Sequence, residues 1–224
     1  MSLAWSMTLL LGALAAPQGA PPSAGESTDL LAEYQQAAIA YFWDEADPAT
    51  GLVKDRAANF GDDTYTVSSV AATGFGLACL PIAARRGWLP EGRARETLDF
   101  LLNDSPHERG WYYHFVDMRT GERVWDCELS SIDTALLLAG ALTAGAAFGG
   151  EVEALANAIY ERVDFQWMLT DAGAKPDSLI LCHGWKPDSG FLASRWDHYC
   201  EHMVLYLLGI GSPTHPIPAE TWEA

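Results

Sequence analysis

The 224 residues carry 30 Asp and Glu against 13 Lys and Arg, a formal net charge of -17. That surplus argues against nucleic acid and anionic membranes as partners, since both are gripped through Lys/Arg clusters, and the lysines are Lys54, Lys175 and Lys186 alone. With 49% apolar residues the chain has the composition of a folded protein, long enough for one domain or for part of a larger one.

Residues 1–20 predict a secretory signal peptide. Leu3 to Ala16 is almost wholly apolar, too short to span a bilayer, and Ala13-Leu14-Ala15 offers small residues for cleavage, although no Lys or Arg precedes the run. The expected location is secreted or periplasmic, with no membrane contact once the peptide is removed. Residues 21–28, rich in Pro, Ser, Ala and Gly, read as a disordered tether, leaving 29–224 as the folded part. Export would permit disulfides, but Cys79, Cys127, Cys182 and Cys200 form no compact framework, and buried free thiols are expected.

Helical signals then follow in order. Leu30, Leu31, Tyr34, Ala37, Ala38, Tyr41 and Phe42 recur at helical spacing, and further helices are predicted near 66–86, 91–103, 131–148, 151–169 and 196–209. Gly87 and Gly149 are natural stops, and Pro90 suits the start of the next element. Strand signals are few; the best is a hairpin within 110–126 around Arg119-Thr120-Gly121. Short links at 87–90 and 149–150 alternate with long ones at 46–65, 104–130 and 170–195. If successive helices run antiparallel, all three long loops share one end, the arrangement of stacked helical hairpins with a binding face. The fold class expected is all-α, with a small β-hairpin in a loop.

Those loops hold the chemistry. The first contains Asp55-Arg56 and Asp62-Asp63. The second contains Trp111, Tyr112, Tyr113, His114, Trp125, Asp126 and Glu128. The third contains His183, Trp185, Asp188, Trp196 and Asp197, leading to Tyr199 and Glu201. Aromatic faces stack on the C–H faces of sugar rings while carboxylates, Arg and His bind hydroxyls, so a neutral carbohydrate fits this composition. Glycosidic cleavage needs two carboxyls, one protonated and one ionised, and Glu128, Asp133 and Glu201 are the candidates. Ser130-x-x-Asp133 also spells a capping box, in which Asp133 would serve the helix instead. A carboxylate in a first helical turn is held ionised by the dipole, so Asp133 is expected as base or sugar ligand, and Glu128, near Trp125, as acid. His198-Tyr199-Cys200-Glu201-His202 spells H-x-x-E-H, a zinc-protease signature without an evident third ligand. A zinc site at His198 and His202 is the lesser alternative; no metal or other cofactor is expected.

The combined motifs resemble a known family. Arg109-Gly110-Trp111-Tyr112-Tyr113-His114-Phe115-Val116-Asp117, Thr120-Gly121 and Trp125-x-x-Glu128-Leu129-Ser130-Ser131-Ile132-Asp133-Thr134 are similar to the bacterial glucoamylase-like family, which includes secreted endo-β-1,2-glucanases. Phe42-Trp43 with Asp47-Pro48 and Asp55-Arg56 resembles its opening motif, and Tyr199-Cys200-Glu201 through Ser212-Pro213 its central one. The resemblance implies an (α/α)6 toroid, of which this chain would supply about half, and metal-free hydrolysis of a β-glucan polysaccharide or oligosaccharide, with β-1,2-glucan favoured. Substrate contacts would come from Trp43, Asp55, Arg56, Trp111, Tyr112, His114, Trp125, Ser130, His183, Trp185, Trp196 and Tyr199. The missing C-terminal half of the domain would be the chief partner, and the chain alone is expected to be incomplete. A non-catalytic α-solenoid that binds a glycan or another partner is the alternative from a different class.

Overall fold

The computed structural model describes residues 30–61, 63–90 and 92–224. The expected signal peptide and tether, and Asp62, lie outside them. Seven α-helices are present among the described residues: α1 (Leu30–Asp44), α2 (Val70–Arg86), α3 (Arg93–Asn103), α4 (Ser131–Phe148), α5 (Gly150–Glu161), α6 (Phe165–Thr170) and α7 (Met203–Ile210).

The centre is α4, because its sequence leaves it no solvent face. Asp133 is its one charged residue, and its length and hydropathy would even suit a membrane span, yet most of its surface is enclosed by neighbouring elements. It packs against α2 on one side and α7 on the other, with α5 behind; α3 pairs with α5, and α1 with α2. The contact between α2 and α4 is backbone on backbone. A Cβ added to Gly140 would lie 1.9 Å from the Gly74 carbonyl oxygen, and one added to Gly74 would lie 2.5 Å from that of Leu136. Only glycine at both positions lets the helices approach this closely.

Caps set the helix ends. The Ser69 hydroxyl accepts from the Ala72 amide to start α2, and Gly87, in the left-handed region at φ 69°, ends it. The predicted single helix over 151–169 is instead two helices, because Asp164 accepts from the Trp167 amide at 2.9 Å and starts α6 afresh. That break lets Phe165, Trp167 and Met168 turn into the core. The helix predicted from Trp196 begins only at Met203: Trp196 itself is tied to Leu181 and Ser131, and 198–202 forms bends and turns.

The all-α expectation needs a second correction: the long loops carry seven short strands in three small sheets among the described residues. Strand β1 (Val67–Ser69) pairs antiparallel with β4 (Phe115–Asp117), and β2 (His107–Glu108) with β3 (Trp111–Tyr112). Strand β5 (Leu129–Ser130) pairs with β6 (Gly184–Lys186), which also pairs with β7 (Gly190–Phe191). The hairpin expected within 110–126 is present: the Asp117 amide donates to the Glu122 carbonyl and the Val124 amide to that of Phe115. Each strand of two or three residues is too brief to show a two-residue periodicity. Lys54 also bridges Ser68, so all three long loops are stitched together at the N-terminal ends of α2 and α4, as their spacing predicted.

All four cysteines are unpaired; Cys127 and Cys182 are buried and Cys79 half-buried, whereas Cys200 is exposed, contrary to the expectation of burial throughout.

The glycine contact yields a test. Gly140→Ala is expected to cost about 1–3 kcal/mol of folding stability through overpacking, read as a lower denaturation midpoint. Gly92→Ala, exposed and with nothing within 4 Å of the added methyl, should leave the midpoint unchanged or slightly raised.

Candidate active site

His114 is fixed by its backbone between two loops. Its N–H donates to the Glu128 carbonyl at 2.9 Å, and its own carbonyl accepts from the Val70 amide at 3.2 Å, where α2 begins. The ring stacks on Phe115 with centroids 3.8 Å apart. So held, its Nδ1 lies 3.0 Å from Glu128 Oε1 and its Nε2 lies 3.6 Å from Asp133 Oδ1.

Asp133 sits in the first turn of α4, and the capping pattern is only half used. Ser130 Oγ accepts from the Asp133 amide at 3.2 Å, as a helix cap should. The Asp133 side chain does not return the favour to the Ser130 amide. Its Oδ2 accepts instead from Ser130 Oγ at 2.5 Å, leaving Oδ1 toward His114. The third loop closes over the same turn: the Ser131 amide donates to the His183 carbonyl, and Trp196 Nε1 donates to Ser131 Oγ at 2.8 Å. The Trp196 ring stacks on His183 at 3.8 Å.

These elements enclose a cleft of about 320 Å3. Glu128, Asp133 and Glu201 all line it, with His114, Ser130, His183 and Trp196; Ile132, Leu136 and Leu192 supply its apolar wall. Leu136 lies one turn beyond Asp133, a spacing that would have marked it as sharing the same face. Nothing in the sequence marks Ser131 as the anchor of the third loop.

The electrostatics reverse the expected division of labour. The hydrogen bond from His114 holds the Glu128 carboxyl below its ordinary pKa, against the opposing effect of burial. Burial instead raises that of Asp133, with the charges of Glu128 and Glu201 adding to it, while the Ser130 hydrogen bond and His114 pull the other way. Burial alone would depress His114; its hydrogen bond to Glu128 and the fields of Asp133, Glu128 and Asp55 outweigh that, and its pKa is raised. Glu128 is therefore the better ionised group and Asp133 the better proton carrier. The helix dipole suggested the opposite, but enclosure of Asp133 outweighs it.

The other expected substrate contacts divide. Trp111 and Tyr112 are fully buried core residues: Trp111 Nε1 donates to the Asp164 carbonyl, and the Tyr112 hydroxyl donates to the Leu101 carbonyl, with burial pushing its pKa up to about 12. Trp43 is held away from the cleft under the Arg93 guanidinium, 3.7 Å above its ring. Trp185 packs against Trp167 as part of the core's rim. Trp111 and Tyr112, fully buried, are corrected to structural roles, whereas Trp43 and Trp185 are half-buried and do not line the cleft. Asp55 pairs with Arg56 beside the cleft without lining it. Trp125 is 59% exposed, with a left-handed backbone at φ 57° and its ring against Phe115 at 5.1 Å. Tyr199 is 88% exposed and lines a neighbouring hollow with Trp196, His202 and Trp222.

The zinc reading required His198 and His202 one turn apart on a helix. Neither lies within one: His198 is left-handed at φ 58°, α7 starts at Met203, and His202 Nδ1 lies 2.9 Å from Cys200 Sγ. Among the described residues no three His, Cys, Asp or Glu side chains are grouped as metal ligands.

Known proteins share this framework. The Glycoamylase family model, a glucoamylase family, matches residues 193–224. An exo-β-1,2-glucooligosaccharide sophorohydrolase of Parabacteroides distasonis is 26% identical over 211 residues, covering 86% of this chain and 28% of that protein. The crystal structure of a β-1,2-glucanase from Parabacteroides distasonis superposes with a TM-score of 0.77 at 24% identity, over 91% of this chain and 30% of the other. An endo-β-1,2-glucanase from Chitinophaga pinensis, solved with sophorotriose and glucose, gives 0.69 at 22% identity, over 89% and 50%. The chain thus spans less than a third of the curated relative and half of the Chitinophaga enzyme. By motif, sequence and fold the chain resembles the glucoamylase-like family.

Proposed function

We propose that the chain forms the N-terminal part of a glycoside hydrolase acting on a β-glucan, with β-1,2-glucan as the favoured substrate. The observation that carries this reading is the cleft in which Glu128 and Asp133 sit on either nitrogen of one imidazole with their pKa values pushed apart. A glycosidase needs that asymmetry: Asp133 protonates the departing glycosidic oxygen, and Glu128 removes a proton from the water that attacks the anomeric carbon. The C–O bond to the leaving sugar breaks as the new C–O bond to water forms. Glu201, lining the same cleft, and the Trp196–His183 stack offer hydroxyl and ring contacts to the sugar.

The relatives' named substrates support β-1,2-glucan as the choice among glucans. In the same reading α2, α4 and α7 are three inner helices of a toroid whose remaining helices lie in sequence beyond this chain. Support comes from exposed apolar side chains at both ends of that row, Phe75 and Ile82 on α2 and Met203 and Leu207 on α7. Export belongs to the proposal too, on the strength of the apolar run Leu3–Ala16.

The test is hydrolysis by the full-length polypeptide that carries this chain. Glu128→Gln and Asp133→Asn should each lower sugar release from β-1,2-glucan by ~100-fold or more, with starch, xylan and β-1,3-glucan as comparison substrates. Parental rates in both variants would place the site elsewhere. Retained glycan binding with no hydrolysis by the parent protein would identify a binding module instead. The rate should be bell-shaped in pH, falling on the acid side as Glu128 takes up a proton and on the alkaline side as Asp133 loses one.

A further inference from the structure

The imidazole of His114 lies between the two carboxyls and is prevented from turning away. Phe115 stacks on its face, its backbone is tied to Glu128 on one side and to the start of α2 on the other, and its Nδ1 and Nε2 lie 3.0 and 3.6 Å from carboxylate oxygens. A side chain required only for packing would not need a carboxylate beside each ring nitrogen. Nor does the geometry suit a sugar ligand alone, since Nδ1 is already engaged by Glu128.

We propose that His114 is a positioning residue that divides the protonation of the cleft: it holds Glu128 as carboxylate through Nδ1 while leaving Asp133, at the longer Nε2 contact, as the group that keeps a proton. The inference rests on the hydrolytic reading of the same site. The groups facing the imidazole are Glu128 from the strand-bearing second loop, Asp133 from α4 and Asp55 from the first loop; Glu201 acts on Asp133 from before α7, and Lys186 acts on Glu128 from β6. Protonated, His114 donates to Glu128 and acts on Asp133 through its charge, lowering both their pKa values, Glu128 more because its contact is shorter and hydrogen-bonded. Removal of that charge must therefore raise both.

His114→Gln retains a hydrogen-bonding side chain without the charge. In the full-length protein its pH–rate profile should move to higher pH on both limbs, the acid limb by about one unit or more. Gly92→Ala, exposed and outside the cleft lining, should move neither limb. A second measurement needs no turnover: NMR titration of His114 should give a pKa above that of an ordinary histidine, falling toward it in Glu128→Gln. A lower rate with unmoved limbs, or an ordinary titration in the parent protein, would overturn the role of His114. If the parent protein hydrolyses no glucan yet His114 still titrates high and responds to Glu128→Gln, the charge coupling stands and the hydrolytic reading fails.

Discussion

Ser131 closes the structure at one point. Its amide donates to the His183 carbonyl, its one hydroxyl proton is shared between the carbonyls of Cys182 and His183, and its Oγ accepts from Trp196 Nε1. One small residue at the N-terminus of α4 thereby satisfies backbone groups from the third loop and anchors the aromatic that walls the cleft. The first amides of any helix lack internal partners; here those at Ser131 and Asp133 are used to gather the loop and to fix Ser130. Cleft shape follows from that attachment, since β5 and β6 register directly beside it.

The attachment in turn depends on the depth of α4 in the fold. Because Gly74 and Gly140 let α2 and α4 touch backbone to backbone, their N-terminal ends lie side by side. The loops that precede those ends then meet, which is why β1 finds β4 and why His114 reaches both the start of α2 and Glu128. Small residues in the helix interiors thus decide where the charged residues of the loops converge, although none of them touches the cleft.

Convergence also explains the charge states. Three acidic side chains share a small cleft in a strongly acidic protein, and such a group is costly to keep fully ionised. One carboxyl is relieved by the imidazole, and the most enclosed one retains a proton more readily. The same enclosure that disfavours the Asp133 anion is what the proposed role of acid would draw on.

By itself the sequence determined the positions of most helices, the alternation of short and long links, and the gathering of Glu128, Asp133 and Glu201 on one end. Those features are local or periodic: apolar spacing, glycine stops at Gly87 and Gly149, and the Ser130 cap are all written in neighbouring residues. Tertiary structure alone decided which aromatics are core, since Trp111 and Trp125 lie in the same loop yet one is fully buried and the other exposed. It also decided that Asp164 breaks a helix that periodicity would continue, and that Trp196 is tied to Ser131 and Leu181 before α7 begins. Above all it decided the direction in which the pKa of each of Glu128 and Asp133 is moved. The helix dipole is visible from a residue's place in its own helix, but burial and the approach of His114 come from segments far apart in the chain, and those terms win.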